Sequence, residues 1–280
     1  MVKCISCARW LVIVLLFLIS LTCIPAAAVE TSDRKEEWLT KEEKLLVTNV
    51  GGIAVLTIWG LTSWEYGERS PHIRSEGWFQ RNTPEGGADK LAHFYASYLA
   101  AHGIAALCES WGYTTEKSAR YGALSSFGLM AFMEVGDSFS HYGFSVEDFV
   151  MNTVGCVAGY SLYRYPELAR KIDFRLEYIP DFSADDMSTD YGNMKFLAAV
   201  KADGFQGIDN FYLKFLEFHI GYYARGYSDE NEPNRRNLYA AVGINLSRVL
   251  SEMSFHKTAK VFQYYQVPYT YLPLKKGLDE

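Results

Sequence analysis

The chain has 280 residues, of which 15% are aromatic and 21% are charged. This length and composition suit one large or two modest globular domains and exclude a disordered polypeptide. The formal net charge is −6 at pH 7, and no basic face is available for phosphate contacts, which argues against a nucleic-acid partner. The sequence contains no Walker-type glycine loop and no Gly-x-Gly run, so we do not expect nucleotide binding either.

The first residues, 1–28, predict a secretory signal peptide. Lys3 and Arg9 supply a positively charged start, and Trp10–Ile19 is an uninterrupted apolar run. Ala26–Ala28 then forms a small-residue cleavage site, so we expect export and a mature chain that begins after Ala28. An uncleaved anchor helix is the alternative.

Removal of the signal peptide leaves two cysteines, Cys108 and Cys156. Export favours disulfide formation, but each cysteine lies in an apolar helical run, where a free cysteine behaves as a small hydrophobic residue. We therefore favour buried thiols over a disulfide. Cys23 lacks the leucine that usually stands three residues before a lipidated cysteine, so lipidation is only weakly indicated.

Four apolar helices are predicted in a unit that covers residues 40–165. The first opens with the capping box Thr40–Glu43 and continues to about Trp64. Apolar residues surround the helices on most sides, which indicates burial in one another or in lipid. The other three are expected at about Ala88–Trp111, Glu116–Asp137 and Ser145–Tyr165.

The distribution of charged residues indicates whether these helices span a membrane. Leu45–Trp64 carries no formal charge and is long enough to cross a bilayer. If all four helices spanned the membrane, most lysines and arginines would lie on the periplasmic side, which inverts the positive-inside rule. We therefore expect a helical unit in the periplasm or at a membrane surface.

Strands are predicted from alternating apolar and polar residues in a region that covers residues 190–275. The alternation is clearest in Tyr212–Ala224 and Leu238–Leu246, with Met194–Lys201 and Phe262–Leu272 as further strands. The predicted fold is α+β: an N-terminal four-helix bundle-like unit followed by a small C-terminal antiparallel β-sheet. We expect one face of the sheet to pack on the helices; association of the strands with an outer membrane is the alternative. The acidic segment Asp181–Asp190 is expected to be the most protease-accessible linker.

Six polar residues stand out in the apolar helices. They occur at the start of the second helix, near the end of the third and at the start of the fourth. Helical spacing puts Asp89 and His93 on one face, and likewise Asp148 and Asn152. Antiparallel packing of consecutive helices would bring these three ends together as a polar pocket. The candidate residues are Asp89, Lys90, His93, Glu134, Asp148 and Asn152.

Such a cluster has two chemical interpretations. His93, Glu134 and Asp148 could ligate a divalent metal, or the cluster could pair a general acid with a general base. The plain explanation is that Asp89 and Asp148 cap their helices. Glu134 is harder to explain that way, because a buried glutamate must be paired or protonated. We favour a structural polar network over a reactive centre, and no cofactor can be assigned.

The order of these motifs resembles a known family. D-K-x-x-H-F at Asp89–Phe94, a glutamate that closes the next helix and S-x-x-D-x-x-x-N-x-x-G at Ser145–Gly155 resemble the YfiM-like family of periplasmic lipoproteins. The two helices that carry D-K-x-x-H and D-x-x-x-N are more distantly similar to VanZ-like membrane proteins. The resemblance covers about Asp89 to Gly159 and implies a protein of the Gram-negative envelope, without a defined reaction.

The leading functional prediction is therefore non-catalytic. We expect an exported envelope protein, in the periplasm or at the outer membrane, whose helical pocket binds a lipid or a cell-wall precursor. The alternative is an envelope hydrolase or transferase that uses the His/carboxylate cluster with or without a divalent metal. A third possibility is that the strands associate with the outer membrane while the helices serve as a scaffold.

Overall fold

The computed structural model describes residues 38–180, 189–208, 210–227, 232–275 and 278–279. The predicted signal peptide, its cleavage site and Cys23 lie outside the described residues, as does most of the acidic linker at 181–190. The chain divides into two compact units. We call them the helical unit (residues up to Ser75 with Ala96–Arg164) and the sheet unit (Glu76–Tyr95 with Tyr165–Glu280).

The four predicted long helices are confirmed. The capping box that opens the first is complete, because the Glu43 amide donates to Thr40 Oγ1 (3.2 Å) and the Thr40 amide donates to Glu43 Oε2 (2.8 Å). The fourth helix begins where the Asp148 amide donates to Ser145 Oγ (3.2 Å). The helices are α1 Lys41–Ser63, α2 Ala88–Ser110, α3 Thr115–Asp137 and α4 Val146–Arg164.

Small residues allow the helices of the helical unit to approach closely. A Cβ on Gly122 of α3 would lie 2.3 Å from the Ala101 carbonyl oxygen of α2. One on Gly159 of α4 would lie 2.7 Å from Ala101 Cβ. Both contacts exclude any larger residue. Cys108 and Cys156 are free and buried, as predicted.

The helical unit exposes apolar side chains and buries polar ones. On α1, Val50, Ile58 and Leu61 are 57%, 64% and 61% exposed, and only 6% of the apolar stretch of this helix is buried. Inside the unit, Ser97 and Ser126 are fully buried. Among the described residues, two helices, α1 and α2, are long and apolar enough to cross a membrane. This distribution is the reverse of that in a helix whose apolar stripe faces a protein core.

The sheet unit contains a five-stranded antiparallel sheet in the order β3-β4-β5-β6-β7. The predicted α+β fold is therefore confirmed, although β3 was not predicted and β7 begins later than the strand expected there. The strands are β3 Ile172–Tyr178, β4 Met194–Lys201, β5 Leu216–Arg225, β6 Arg235–Ile244 and β7 Tyr271–Lys275. Three short helices accompany them: α5 Pro166–Ala169, α6 Leu246–Glu252 and α7 His256–Val261. A two-residue parallel pair, β1 Ile73–Arg74 with β2 Phe144–Ser145, belongs to the helical unit.

The sheet curves, so that its first strand, β3, pairs with residues that lie shortly before its last strand, β7. Leu176 of the edge strand β3 pairs in parallel with Tyr265. The Leu176 amide donates to the Tyr264 carbonyl (2.9 Å), and the Gln266 amide donates to the Leu176 carbonyl (2.9 Å). This segment leads directly into β7, which pairs with β6 on the other side. One face of the sheet is thereby enclosed.

The enclosed face is the polar one, which corrects the sequence expectation for β5. Glu217 and His219 are only 2% and 0% exposed, whereas Phe218 and Ile220 are 39% and 50% exposed. The sequence pattern identified the two faces but not which would lie inside. The polar side chains are buried because they satisfy one another, as described below.

We expected the whole apolar face of the sheet to pack on helices, but only part of it does. The Phe94 ring of α2 lies edge-on to Phe174 of β3, with 4.9 Å between the ring centroids. Tyr95 packs against Phe196 of β4 in the same way (6.2 Å). Many apolar side chains of this face on β5, β6 and β7 remain exposed, among them Ile220, Ile244 and Leu272, whereas Tyr222 is buried against Phe79.

Candidate functional site

The helical unit contains a chain of buried hydrogen bonds that includes two predicted site residues. Asn152 Nδ2 donates to Glu134 Oε1 (2.9 Å), and Ser97 Oγ donates to Asn152 Oδ1 (2.9 Å). Ser126 Oγ in turn donates to the Ser97 carbonyl (2.8 Å). Glu134 and Asn152 are each 1% exposed. Three helices are therefore joined by groups that have no access to water.

Asp148 lies in the first turn of α4. Its amide is capped by Ser145, so the predicted capping role is present. The residue itself is nevertheless buried (5% exposed), one helical turn before Asn152 on the same face. Val150 and Val154, between and after them, are exposed. Asp148 thus belongs both to the helix cap and to the buried face that carries Asn152.

Glu134 is a carboxylic acid at neutral pH. Burial raises the pKa of Glu134 to about 9, and the negative charges of Asp148 and Asp137 act in the same direction. Hydrogen bonds from the Ser145 amide and the Asn152 side chain oppose the shift without cancelling it. The site consequently holds a proton on Glu134 near the carboxyl of Asp148. Two carboxyl groups whose environments separate their pKa values can divide the roles of acid and base.

In the sheet unit, Asp89 and Lys90 form a buried ion pair. Lys90 Nζ lies 2.7 Å from Asp89 Oδ2 and 2.6 Å from Glu76 Oε2, and Lys90 is 1% exposed. The sequence did not predict the role of Glu76. Burial, together with the charges of Asp89 and Glu76, raises the pKa of the nearby Glu85 to about 7. Lys90 is therefore not a solvated surface lysine, as one reading of the sequence allowed.

The two histidines of α2 have different positions. His102 is 8% exposed and its Nε2 lies 3.0 Å from the Gly159 carbonyl oxygen, so it is a hydrogen-bonded core histidine. This agrees with the prediction that His102 stands apart from the candidate cluster. His93 is partly buried. Its predicted association with Glu134, and a metal site of His93, Glu134 and Asp148, stay predictions.

Sequence reasoning missed two buried residues of the helical unit. Ser97 links Asn152 to α3, and it follows His93 by one helical turn, so the spacing Asp89, His93, Ser97 could have indicated it. Glu147 is 6% exposed and accepts a hydrogen bond from Ser75 Oγ (2.6 Å). Glu147 lies inside the predicted capping motif but was read only as part of the cap.

A third group in the helical unit is exposed. His141 Nε2 lies 3.4 Å from Glu65 Oε2 and 3.8 Å from Glu68 Oε2. These three side chains could donate one ligand atom each to a cation. All three are solvent-accessible, and exposed acidic groups commonly lie together without a bound ion.

The enclosed face of the sheet carries an ionic network. Arg175 of β3 makes a bidentate pair with Glu217 of β5 (2.6 and 2.8 Å) and a third contact with Asp173 (2.9 Å). His219 Nε2 lies 2.8 Å from Glu217 Oε1, and Lys201 Nζ lies 2.6 Å from Asp173 Oδ1. Burial alone raises the pKa of the Glu217 carboxyl, but His219 and Arg175 lower it below its ordinary value, so Glu217 is ionised.

Glycines make room for the rings inside this face. A Cβ on Gly243 would lie 2.5 Å from His219 Cε1, and one on Gly221 would lie 2.4 Å from the Tyr239 ring. Tyr239 stacks on Tyr271, with 5.6 Å between the centroids. The interior is thus filled with polar and aromatic side chains, which gives it the role of a core.

Comparison with known proteins identifies part of the chain. Residues 75–164 match the model of a family described as predicted periplasmic lipoprotein (DUF2279). No curated protein and no solved structure matches the chain. The match agrees with the predicted kind of family, a periplasmic lipoprotein family of unknown function, and does not extend to the YfiM-like or VanZ-like names. The matched range contains α2, α3 and α4, and it supports an exported protein that is periplasmic or membrane-associated.

Proposed function

We propose that this is a membrane-associated envelope protein whose helical unit binds an amphiphile, either a lipid or a lipid-linked cell-wall precursor. The observation that carries the proposal is the inverted distribution of residues in the helical unit. Valine, leucine and isoleucine side chains are exposed on its helices, above all on α1, while serine, asparagine and glutamate are buried beside a small apolar core of Ile104, Cys108 and Tyr113. Water is a poor solvent for that surface, since monomeric soluble proteins rarely expose a large contiguous apolar patch.

Helix α1 is the segment best suited to enter a membrane. Its 23 residues give a length of about 35 Å, against a hydrocarbon thickness of roughly 30 Å. Its mean hydropathy is 1.7. The charged residues Glu42 and Glu43 lie in its first turn, outside the twenty-residue uncharged stretch. We place this helix, rather than all four, in the bilayer, in keeping with the charge distribution.

The buried network of Glu134, Asn152 and Ser97 supplies the polar groups of the proposed binding site. A protonated carboxyl, an amide and a hydroxyl together offer both donors and acceptors. Such groups match the hydroxyl- and amide-rich head of an amphiphile better than they match a simple anion. Asp148, one turn from Asn152 on the same buried face, would add a further carboxyl group.

The proposal is tested by what the purified chain retains. We expect the wild-type protein, extracted in a mild detergent, to carry a stoichiometric amphiphile that mass spectrometry identifies. Asn152→Ala and Glu134→Ala should lose it, whereas Ser118→Ala, a change at a fully buried serine of α3, should retain it. Equal retention by all four proteins, or no bound amphiphile in any, would overturn the proposal.

One observation favours an enzyme as the second candidate. Glu134 holds a proton, and the nearby Asp148 contributes to raising its pKa, which suits Glu134 to the role of a general acid. A hydrolase or transferase of the envelope would use Glu134 as acid, with or without a divalent metal held by His93, Glu134 and Asp148. Elemental analysis that finds one zinc, manganese or iron per chain in the wild type, lost in Glu134→Ala, would favour this candidate.

A further inference from the structure

A second apolar surface lies on the sheet unit, on the outer side of β5, β6 and β7. Its members share the face opposite the enclosed ionic network, and five of them are at least 45% exposed. We call it the outer sheet face. It consists of Leu216, Phe218, Ile220, Leu238, Val242, Ile244, Leu272 and Leu274.

We propose that the outer sheet face lies on the surface of a lipid bilayer. The proposal extends the membrane association proposed above to a separate set of residues, and it does not depend on the amphiphile site. The register makes the face continuous, because Leu216 pairs with Ile244, Phe218 with Val242 and Val242 with Leu272. None of the six residues in the pairs Leu216–Ile244, Phe218–Val242 and Ile220–Ala240 is charged.

The shape and chemistry of the face favour lipid over a protein partner. The sheet curves around its polar interior, so the outer sheet face lies on the convex side. Its side chains are mostly aliphatic, whereas the cores of protein interfaces are enriched in tyrosine, tryptophan and arginine. A lipid surface requires neither pockets nor hydrogen-bond donors. It requires only apolar area whose neighbouring backbone groups are already hydrogen-bonded.

Exposed aromatic residues mark one end of the face. The Asn245 amide donates to the Phe215 carbonyl (2.8 Å) and the Ile244 amide donates to the Thr270 carbonyl (3.4 Å), which brings the start of β5 and the start of β7 to the end of β6. At this end Phe211, Tyr212 and Tyr269 are 64%, 79% and 90% exposed. Tyrosines with an apolar ring and a polar tip concentrate where a membrane meets water.

The opposite end of the face is charged. Arg236 lies two residues before Leu238 on the same face of β6, and its Nη2 lies 2.6 Å from Asp279 Oδ1. The face therefore runs from an aromatic end through an aliphatic centre to an ionic end. This sequence of environments matches a surface that lies in the boundary between head groups and acyl chains.

A local probe tests this surface apart from α1. The full-length protein would be labelled with an environment-sensitive fluorophore at Leu272→Cys (75% exposed), or at Glu167→Cys on α5, whose side chain is 77% exposed. The unmodified chain controls for labelling of the native cysteines, which are the buried Cys108 and Cys156 together with Cys4, Cys7 and Cys23 in a chain that keeps its first 28 residues. Each protein would be mixed with vesicles of phosphatidylethanolamine and phosphatidylglycerol, with and without brominated acyl chains.

We expect the fluorophore at residue 272 to shift to shorter wavelength on vesicle binding and to be quenched by the brominated lipid. The fluorophore at residue 167 should do neither. If the vesicles bind the protein but neither probe responds, the outer sheet face is not a lipid surface, while the proposed function through α1 stands. If the protein does not bind the vesicles at all, both proposals are wrong.

Two further outcomes would replace lipid by another occupant. A shift at residue 272 that depends on protein concentration in the absence of vesicles would show that a second copy covers the face. A fluorophore that is already shifted at low concentration, and does not respond to vesicles, would show that another segment of the chain covers it. Either result overturns the proposal.

Discussion

Both units bury polar side chains, but the chemistry of these side chains differs. In the helical unit the hydrogen-bonded series between the helices consists of small or neutral groups: Ser97 and Asn152 hydrogen-bond in series, and Glu134 is held in its protonated form. In the sheet unit they are ionised, with Arg175 and Glu217 in bidentate contact. Each unit exposes apolar side chains on its outer surface.

The difference follows from geometry. Helices that approach each other at glycine contacts leave space only for short side chains between them. A curved sheet encloses a wider interior, which long charged side chains can fill from several strands. A buried charge is tolerated only where partners surround it, and the sheet offers partners at every second residue of each strand. Polar burial is therefore stabilised by neutral hydrogen bonds in one unit and by ion pairing in the other.

The ionic interior should show the largest effect of mutation. Arg175→Met removes the cation that Glu217 and Asp173 share and leaves them with only His219 and Lys201 as partners, so we expect the free energy of unfolding to fall by about 3–5 kcal/mol. Urea unfolding of the full chain in mild detergent measures this loss. Arg170→Met, at a side chain that is 62% exposed, is the matched control and should change stability by less than about 0.5 kcal/mol. A loss below about 1 kcal/mol for Arg175→Met would mean that water reaches the sheet interior.

The protonated glutamate of the helical unit should make stability depend on pH. Its pKa is raised from 4.5 to about 9 in the folded chain, so unfolding releases a proton between these values. The contribution of Glu134 to stability is therefore most favourable below about pH 4.5 and is lost as pH rises towards 9, by up to about 1.4 kcal/mol per pH unit. Glu134→Gln keeps a neutral donor and removes this dependence.

We expect the stability of Glu134→Gln relative to the wild type to rise steadily between pH 5 and pH 8. Thermal unfolding at several pH values gives this difference. The stability of Ser118→Ala, a variant elsewhere on the same helix, should depend on pH in the same way as that of the wild type. If the stability of Glu134→Gln also has the wild-type pH dependence, Glu134 is ionised in the folded chain. The contrast between a neutral and an ionic interior would then disappear.

The predicted contact between His93 and the buried network can be tested by measuring a coupling energy. If His93 shares a network with Glu134 and Asn152, the doubles His93→Ala/Glu134→Ala and His93→Ala/Asn152→Ala should deviate from additivity by about 1–3 kcal/mol. Additive losses within about 0.5 kcal/mol would separate His93 from the network. The pair His102→Ala/Glu134→Ala provides an additive reference, since His102 is bound to Gly159.

The smallest effect is expected at two helix ends of the helical unit, where ordinary capping rules apply. Thr40→Ala removes one half of the capping box of α1 and should cost about 1 kcal/mol. The equivalent contact at the start of α3 is longer, 3.4 Å from the Lys117 amide to Thr114 Oγ1, so Thr114→Ala should cost less. Equal losses at the two positions would show that contact length does not govern these caps. Thermal unfolding of the two variants side by side decides between these outcomes.

The helices and their ends were determined by the sequence, because capping, apolar periodicity and breakers are local properties. The box Thr40–Glu43 and the start of the fourth helix at Ser145 lie where predicted. Buried side-chain polar contacts were also found at the candidate site residues Asp89, Lys90, Glu134 and Asn152. Burial of such polar or charged side chains without a partner costs free energy, so their presence in apolar helices indicated that they have partners.

The tertiary structure alone decided which face of each element lies inside. Alternation along β5 separates Glu217 and His219 from Phe218 and Ile220, but either set can form the interior. The choice depends on whether partners from distant strands, such as Arg175, can reach the polar set. It depends also on curvature, because Tyr265 must come back to pair beside Leu176 before the polar face is enclosed. Neither condition is a property of a local stretch of sequence, so only the folded chain could place the ionic network inside and the apolar residues outside.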